Sequence, residues 1–274
     1  MWIQRLRRAS ACAAALLLVS TVFGAAYAET IRIGGTGAAL GTMRLLADAY
    51  TAENTVAKVT VLPSLGTAGG IKALLAGAVD VAVTLRALND AEASGGATSV
   101  EYARTPFVFA TAISNPAQTI TTAELVDIYL GKQVDWPEGG KIRLVMRPTG
   151  DNDSEIVRSL SPDMRAAELH AEQRKGLLFA VTDTEAADNL ERVPGALGPS
   201  SLALITSEKR ALKALMLNGV APSTSALADG SYPLGKSFYM AVGPKPSPAV
   251  KRFVDFVRSP SGREILTRTA QLAP

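Results

Sequence analysis

The stretch Thr30 to Tyr50, TIRIGGTGAALGTMRLLADAY, decides the fold class. Ile31 and Ile33 alternate with polar neighbours as strand residues do, and a glycine-rich turn follows. Leu40, Met43, Leu45, Leu46 and Ala49 then recur near helical spacing. The next stretch, VAKVTVLPSLGTAGGIKALLAGAVDVAVTLRAL from Val56, repeats the plan. It predicts a strand over 58–62, a small-residue turn over 63–70, a helix over 71–77 and a strand over 79–84. Strands alternating with helices argue for α/β layers around a largely parallel sheet.

Further along, Thr105 to Ile113 reads as a strand ending at the turn Ser114-Asn115-Pro116. Thr121, three residues before Glu124, predicts a helix N-cap, and Gly131 a stop. A strand over 142–146 leads into Arg147-Pro148-Thr149-Gly150-Asp151-Asn152-Asp153-Ser154 and a helix from Glu155. Helices are expected over 162–176 and 182–191, and strands over 202–205 and 238–242. One amphipathic helix is expected from Pro248 to Thr269. Two extended runs, near 104–113 and 231–243, are candidates for crossing between lobes. Such crossings would make the first lobe discontinuous, 29 to 108 plus 238 to 274, with 109–237 forming the second.

The N-terminal residues read as an address. Arg5, Arg7 and Arg8 precede an uncharged run from Ala9 to Ala26, which closes on Ala26-Tyr27-Ala28. That is a signal peptide over 1–28 with cleavage expected after Ala28, and hence a periplasmic location. The apolar core is shorter than the about 20 residues of a spanning helix. Without residues 1–28, three of the 28 basic residues are lost, leaving 25 against 25 acidic ones. No global basic field then remains to favour nucleic acid, so any anion must be held by a local site. Cys12 is the only cysteine and leaves with the signal, so packing rather than disulfides must stabilise the fold. The single histidine, His170, lies in the polar stretch HAEQRK and reads as a surface residue. No metal site built on several His or Cys ligands is available, and no cofactor is expected.

Three small-residue turns open helices: Gly35-Thr36-Gly37-Ala38-Ala39, Ser64-Leu65-Gly66-Thr67-Ala68-Gly69-Gly70, and Thr149 to Ser154. Helix N-termini offer unpaired N–H groups and the positive end of a dipole, and so suit anions. Arg147 stands just before the third turn, where its planar fork suits bidentate capture of an oxyanion. A surface salt bridge for Arg147, and an N-cap role for Asp151, are the plainer alternatives.

In consistent order, several motifs resemble the phosphate-specific periplasmic binding proteins of ABC importers. They are Gly35-Thr36-Gly37-Ala38, Gly66 to Leu74, Gly77-Ala78-Val79-Asp80, Leu125 to Lys132 with Trp136, the Arg147 loop, and Tyr232-Pro233-Leu234. The resemblance implies a two-lobed α/β periplasmic-binding-protein fold with a two-segment hinge and a central ligand cleft. It implies a binding module rather than an enzyme, a monomer that delivers phosphate or a related oxyanion to an inner-membrane permease. The ligand-binding positions it suggests are Thr36, Gly37, Ala38, Ala39, Ser64, Thr67, Arg86, Arg147, Asp151, Asn152, Asp153 and Ser154. The match is incomplete. Ala39 and Leu40 fall where the family has a hydroxyl, Leu85 stands in place of a proton-accepting aspartate, and Asp151-Asn152-Asp153 replaces Ser-Gly-Thr. Two carboxylates beside a dianion would repel it by several kcal/mol per pair at an effective dielectric near 20 (order of magnitude). A different polar solute, or a sensor or accessory role, is therefore the alternative.

Overall fold

The computed structural model describes residues 29–54 and 57–274; the proposed signal peptide lies outside them. The first elements are β1 (Glu29–Gly35), α1 (Gly37–Glu53), β2 (Ala57–Val61), α2 (Gly66–Leu75), β3 (Val81–Thr84) and α3 (Asp90–Ala93). The middle of the chain forms β4 (Thr98–Ala112), β5 (Thr119–Ile120), α4 (Thr122–Leu130), β6 (Arg143–Met146), α5 (Asn152–Ser159), α6 (Pro162–Glu172) and β7 (Leu178–Phe179). Then come α7 (Asp183–Arg192), β8 (Ala196–Ser201), α8 (Leu202–Ser207), β9 (Leu212–Ala214), β10 (Met216–Leu217) and α9 (Thr224–Ala228). The chain ends with β11 (Gly235–Val242), α10 (Pro248–Arg258) and α11 (Pro260–Arg268).

The main sheet runs β2-β1-β3-β11-β4-β8-β6-β7, with β9 also on β4. β1 lies parallel between β2 and β3, and β6 parallel between β7 and β8, while β11 and β4 are antiparallel. The outer strands thus form two parallel halves, joined through one antiparallel pair. β4 serves both halves. Its first part, Thr98 to Pro106, pairs with β11, and Phe107 to Ala112 pairs with β8 and β9.

Burial follows the same division. One apolar cluster gathers Ile31, Leu40, Leu46, Tyr50, Tyr102, Phe238 and Phe253. Its densest contact sets Tyr50 edge-on to both Phe253 and Phe256 at 5.3 Å. A second cluster draws on Phe107, Phe109, Leu125, Tyr129, Trp136 and Tyr232. Ala203 of α8 crosses the division and packs into the first cluster, so the halves meet through apolar as well as polar contacts.

Local chemistry explains most element ends. Thr121 and Glu124 form the expected reciprocal capping box, and Gly131 ends α4 in the left-handed region. Three expectations need correction. Leu202 to Ile205 is helical rather than extended, because Ser201 ends β8 and accepts a hydrogen bond from Leu204 N–H, capping α8. The C-terminal helix is broken at Ser259, which caps α11 with Pro260 in its first turn. The turn over 63–70 is already helical from Gly66, because its small residues let α2 lie close on β1. A Cβ on Gly70 would come within 2.7 Å of the Gly35 Cα.

Gly35 has φ +143°, and a Cβ there would strike the Val83 carbonyl, whereas Gly77 (φ +69°) faces open space. Gly35→Ala is therefore expected to cost several kcal/mol or prevent folding, against about 1 kcal/mol for Gly77→Ala. Urea midpoints of the two variants would check the ranking; equal losses would mean the β1–β3 contact is looser than described.

Candidate functional site

At the seam between the halves lies a buried polar cluster formed by five elements. Thr36 is the N-cap residue of α1, Arg147 follows β6, and Asp151 and Asp153 open α5. Asp183 opens α7, and Lys236 sits on β11. Each enters for a local reason. Thr182 caps α7 by accepting from Glu185 N–H, which places Asp183 in the first turn. On β11 alternate residues point inward, so Lys236 shares the buried face of Phe238 and Met240. Asp151 caps α5 through a hydrogen bond from Asp153 N–H at 3.0 Å.

The contacts form a continuous chain. Thr36 Oγ1 donates to Asp183 Oδ2 at 2.8 Å, and Lys236 Nζ donates to Asp183 Oδ1 at 3.0 Å. The same ammonium lies 2.6 Å from Asp153 Oδ1 and 5.6 Å from the centre of the Phe107 ring. That ammonium is the close ionic partner of Asp153 Oδ1. Arg147 is 4% exposed and grips Asp151 with both fork arms, Nε at 3.1 Å and Nη2 at 3.0 Å. Its Nη1 donates to the Ala180 carbonyl at 2.8 Å, and Asp153 Oδ2 lies 3.7 Å from Nε.

Two cations thus face three carboxylates, and the acids respond differently. Burial alone would raise Asp183, but Lys236, then Arg147 and the Thr36 hydrogen bond, outweigh it and hold the carboxyl well below its usual range. Burial also dominates at Asp153, where the neighbouring Asp183 and Asp151 charges add to it. Lys236 and Arg147 offset only part of this, and Asp153 is pushed up to about 6. Burial would lower Lys236 and Arg147, yet the facing carboxylates raise both.

Among the residues read from the sequence, Thr36, Arg147, Asp151 and Asp153 meet in this cluster. Gly37, Ala38 and Ala39 form the adjoining first turn of α1, all buried. The others lie elsewhere. The Ser64 hydroxyl is buried without a hydrogen-bond partner near Gly37. Thr67 Oγ1 accepts from Leu85 N–H, and Ser154 Oγ turns back to the carbonyls of Arg147 and Pro148. Arg86 is exposed and held by both oxygens of Glu92 at 2.7 and 2.8 Å. Asn152 lines, with Arg86, Thr67 and Gly150, an outer cleft of about 500 Å³. A larger cleft of about 850 Å³ is lined by Arg44, Ser64, Thr182, Thr184, Glu208 and neighbours.

Asp183 and Lys236 were absent from the sequence reading. Both left a signal: Thr182 and Glu185 have capping-box spacing, and Lys236 occupies an inward position of an alternating strand. His170 is exposed, as expected. Among the described residues no group of three or more His, Cys, Asp or Glu is arranged to hold a metal ion. No described helix is long and apolar enough to cross a membrane.

A doubly joined α/β sheet whose halves meet over a buried polar centre defines a two-lobed binding protein. The sequence profile of the PBP superfamily domain matches residues 22–261, and the chain belongs to that superfamily. It is 26% identical over 238 residues to the phosphate-binding protein PstS of Bacillus subtilis (strain 168), covering 84% of this chain and 75% of that protein. A Clostridium perfringens structure described as a phosphate ABC transporter substrate-binding protein with bound phosphate superposes with TM-score 0.74. Its identity is 20%, covering 90% of this chain and all of the other. An ABC-type phosphate transport receptor from Vibrio cholerae superposes with TM-score 0.61 at 21% identity, with the same coverage.

Asp153 has a folded value of about 6 against an ordinary 3.8, so it favours folding most when protonated. Its contribution is fully present below 3.8 and is lost as pH rises through about 6. Asp183, held low, contributes in the opposite sense, and its contribution is lost only below that window. Asp153→Asn is thus expected to melt with wild type in acid and a few degrees above it at neutral pH. Melting curves across this range check it; a constant difference would mean that Asp153 stays ionised throughout.

Proposed function

We propose that this chain is the solute-binding component of an ABC-type uptake system, holding phosphate or a related oxyanion between two lobes. The lobes are residues 29–108 with 238–274, and 109–237, and β4 and β11 form the hinge. The carrying observation is the meeting of Arg147 and Lys236, both buried, with the Thr36 hydroxyl and the first turn of α1. First-turn N–H groups have no intrahelical acceptor, so they add donors to the two cations. The names of the B. subtilis, C. perfringens and V. cholerae proteins support phosphate as the ligand. In this reading Thr36, Gly37, Ala38, Arg147 and Lys236 hold the anion, while Arg86, Thr67 and Asn152 line its approach. The protein acts as an exported monomer, freed of residues 1–28 in the periplasm. It hands its solute unchanged to a membrane permease and has no need of cofactor or nucleic acid.

A second reading keeps the fold and changes the ligand. The three carboxylates against two cations favour a polar solute whose donors face Asp151 and Asp153, or a sensing role in place of transport. The deciding experiment is calorimetric titration of ligand-stripped protein with phosphate, sulfate and molybdate. Micromolar or tighter phosphate binding, weakened at least about tenfold in Arg147→Lys, is expected, because lysine keeps the charge but loses the fork that fixes Asp151 and the Ala180 carbonyl around the site. No heat with any oxyanion would move the assignment to the polar solute. Turnover of a phosphate ester would replace binding with catalysis.

A further inference from the structure

We infer that Asp183 is the protein's own occupant of its anion site, an internal carboxylate that closes the lobes and that an incoming oxyanion must displace. The inference rests on the oxyanion reading and adds to it the residue that sets affinity.

Asp183 has the surroundings of a captured ligand. It is a fully enclosed anion receiving a hydroxyl from Thr36 on one oxygen and an ammonium from Lys236 on the other. The Arg147 charge lies close enough to lower it further. Those partners come from the first half, the hinge strand and the second half, so this one carboxylate spans the seam. Other contacts across the seam fit the same closed state. A Cβ on Gly37 would lie 2.7 Å from Thr184 Oγ1, and one on Gly41 would strike the Ser207 hydroxyl. Arg44 Nη1 reaches Glu208 Oε1 at 3.2 Å. Thr36, Lys236 and Asp183 are all buried at this contact.

The charge count gives the selectivity. Asp183 shares the cluster with Arg147, Lys236, Asp151 and Asp153. Exchange of its carboxylate for a monoanion leaves the buried charge unchanged. Exchange for a dianion adds one negative charge beside two fixed carboxylates. A displaced Asp183 has left the site, so that one-charge difference comes from Asp151 and Asp153, and what Asp183 sets is the affinity. It makes every anion compete with an effective concentration set by the chain itself.

The test compares wild type with Asp183→Asn, which keeps the shape and removes the charge, and with Thr36→Val, which removes only the hydroxyl. Ligand-free radii of gyration from small-angle X-ray scattering and calorimetric titrations with phosphate and sulfate are the two readouts. Asp183→Asn should be more expanded without ligand and bind phosphate and sulfate each at least about tenfold tighter, with the ratio of the two unchanged. Thr36→Val should open in the same sense, and it carries the closure readout if Asp183→Asn fails to fold. Wild-type compactness in both variants, with affinity unchanged or weaker, would overturn the inference while leaving phosphate binding in place. Expansion without oxyanion binding by any of the proteins would uphold the latch and reject the oxyanion reading.

Discussion

The ammonium of Lys236 is wholly buried on the hinge strand, 2.6 Å from Asp153 and 3.0 Å from Asp183. A charge removed from water is tolerated only where opposite charges and hydrogen bonds replace the solvent. Here the replacements come from the helix starts of the second half and, through Thr36, from the first. Asp183, held ionised by this cation, cannot be withdrawn without leaving it under-compensated, so the start of α7 is tied to the hinge strand. The arrangement of β11, α5, α7 and the start of α1 depends on this one group.

The sheet supplies the other half of the constraint. β4 and β11 are the only long antiparallel neighbours at the centre, and β4 changes partners at Phe107. Tyr232 donates its hydroxyl to the Phe107 carbonyl at 2.9 Å, and Thr105 links the Ala270 carbonyl to Ala203 N–H. The crossing point is thus pinned by both halves of the chain. Rotation about it would change the distance from Thr36 to Asp183 more than any contact inside either half. That is the geometry of hinge closure, in which a few residues absorb the motion and rigid halves move.

Much of this was legible in the residues. The strand–turn–helix alternation from Thr30 gave the α/β class, and the two extended runs overlap β4 and β11. Arg147, Asp151 and Asp153 were visible because they crowd one turn. Where the reading failed, tertiary pairing was the missing information. Leu202 to Ile205 has a strand-like composition, yet capping by Ser201 and packing of Ala203 against α1 make it helical. Arg86 does line the outer cleft, but nothing in its own stretch says that Glu92, six residues away, holds its fork. Asp183 lies 147 residues from Thr36 and 53 from Lys236, and no local pattern announces that those side chains meet.

The departures from the phosphate-binding pattern become coherent when taken together. Where the family places a proton-accepting aspartate, Leu85 offers only its backbone N–H, which Thr67 accepts. The acids of the buried cluster stand on α5 and α7, where Lys236 offsets part of their charge. Asp153, at about 6, is the group of this set that can carry a proton near neutrality. Asp153 and Asp183 are thus not isolated buried charges, because Lys236 and Arg147 stand against them.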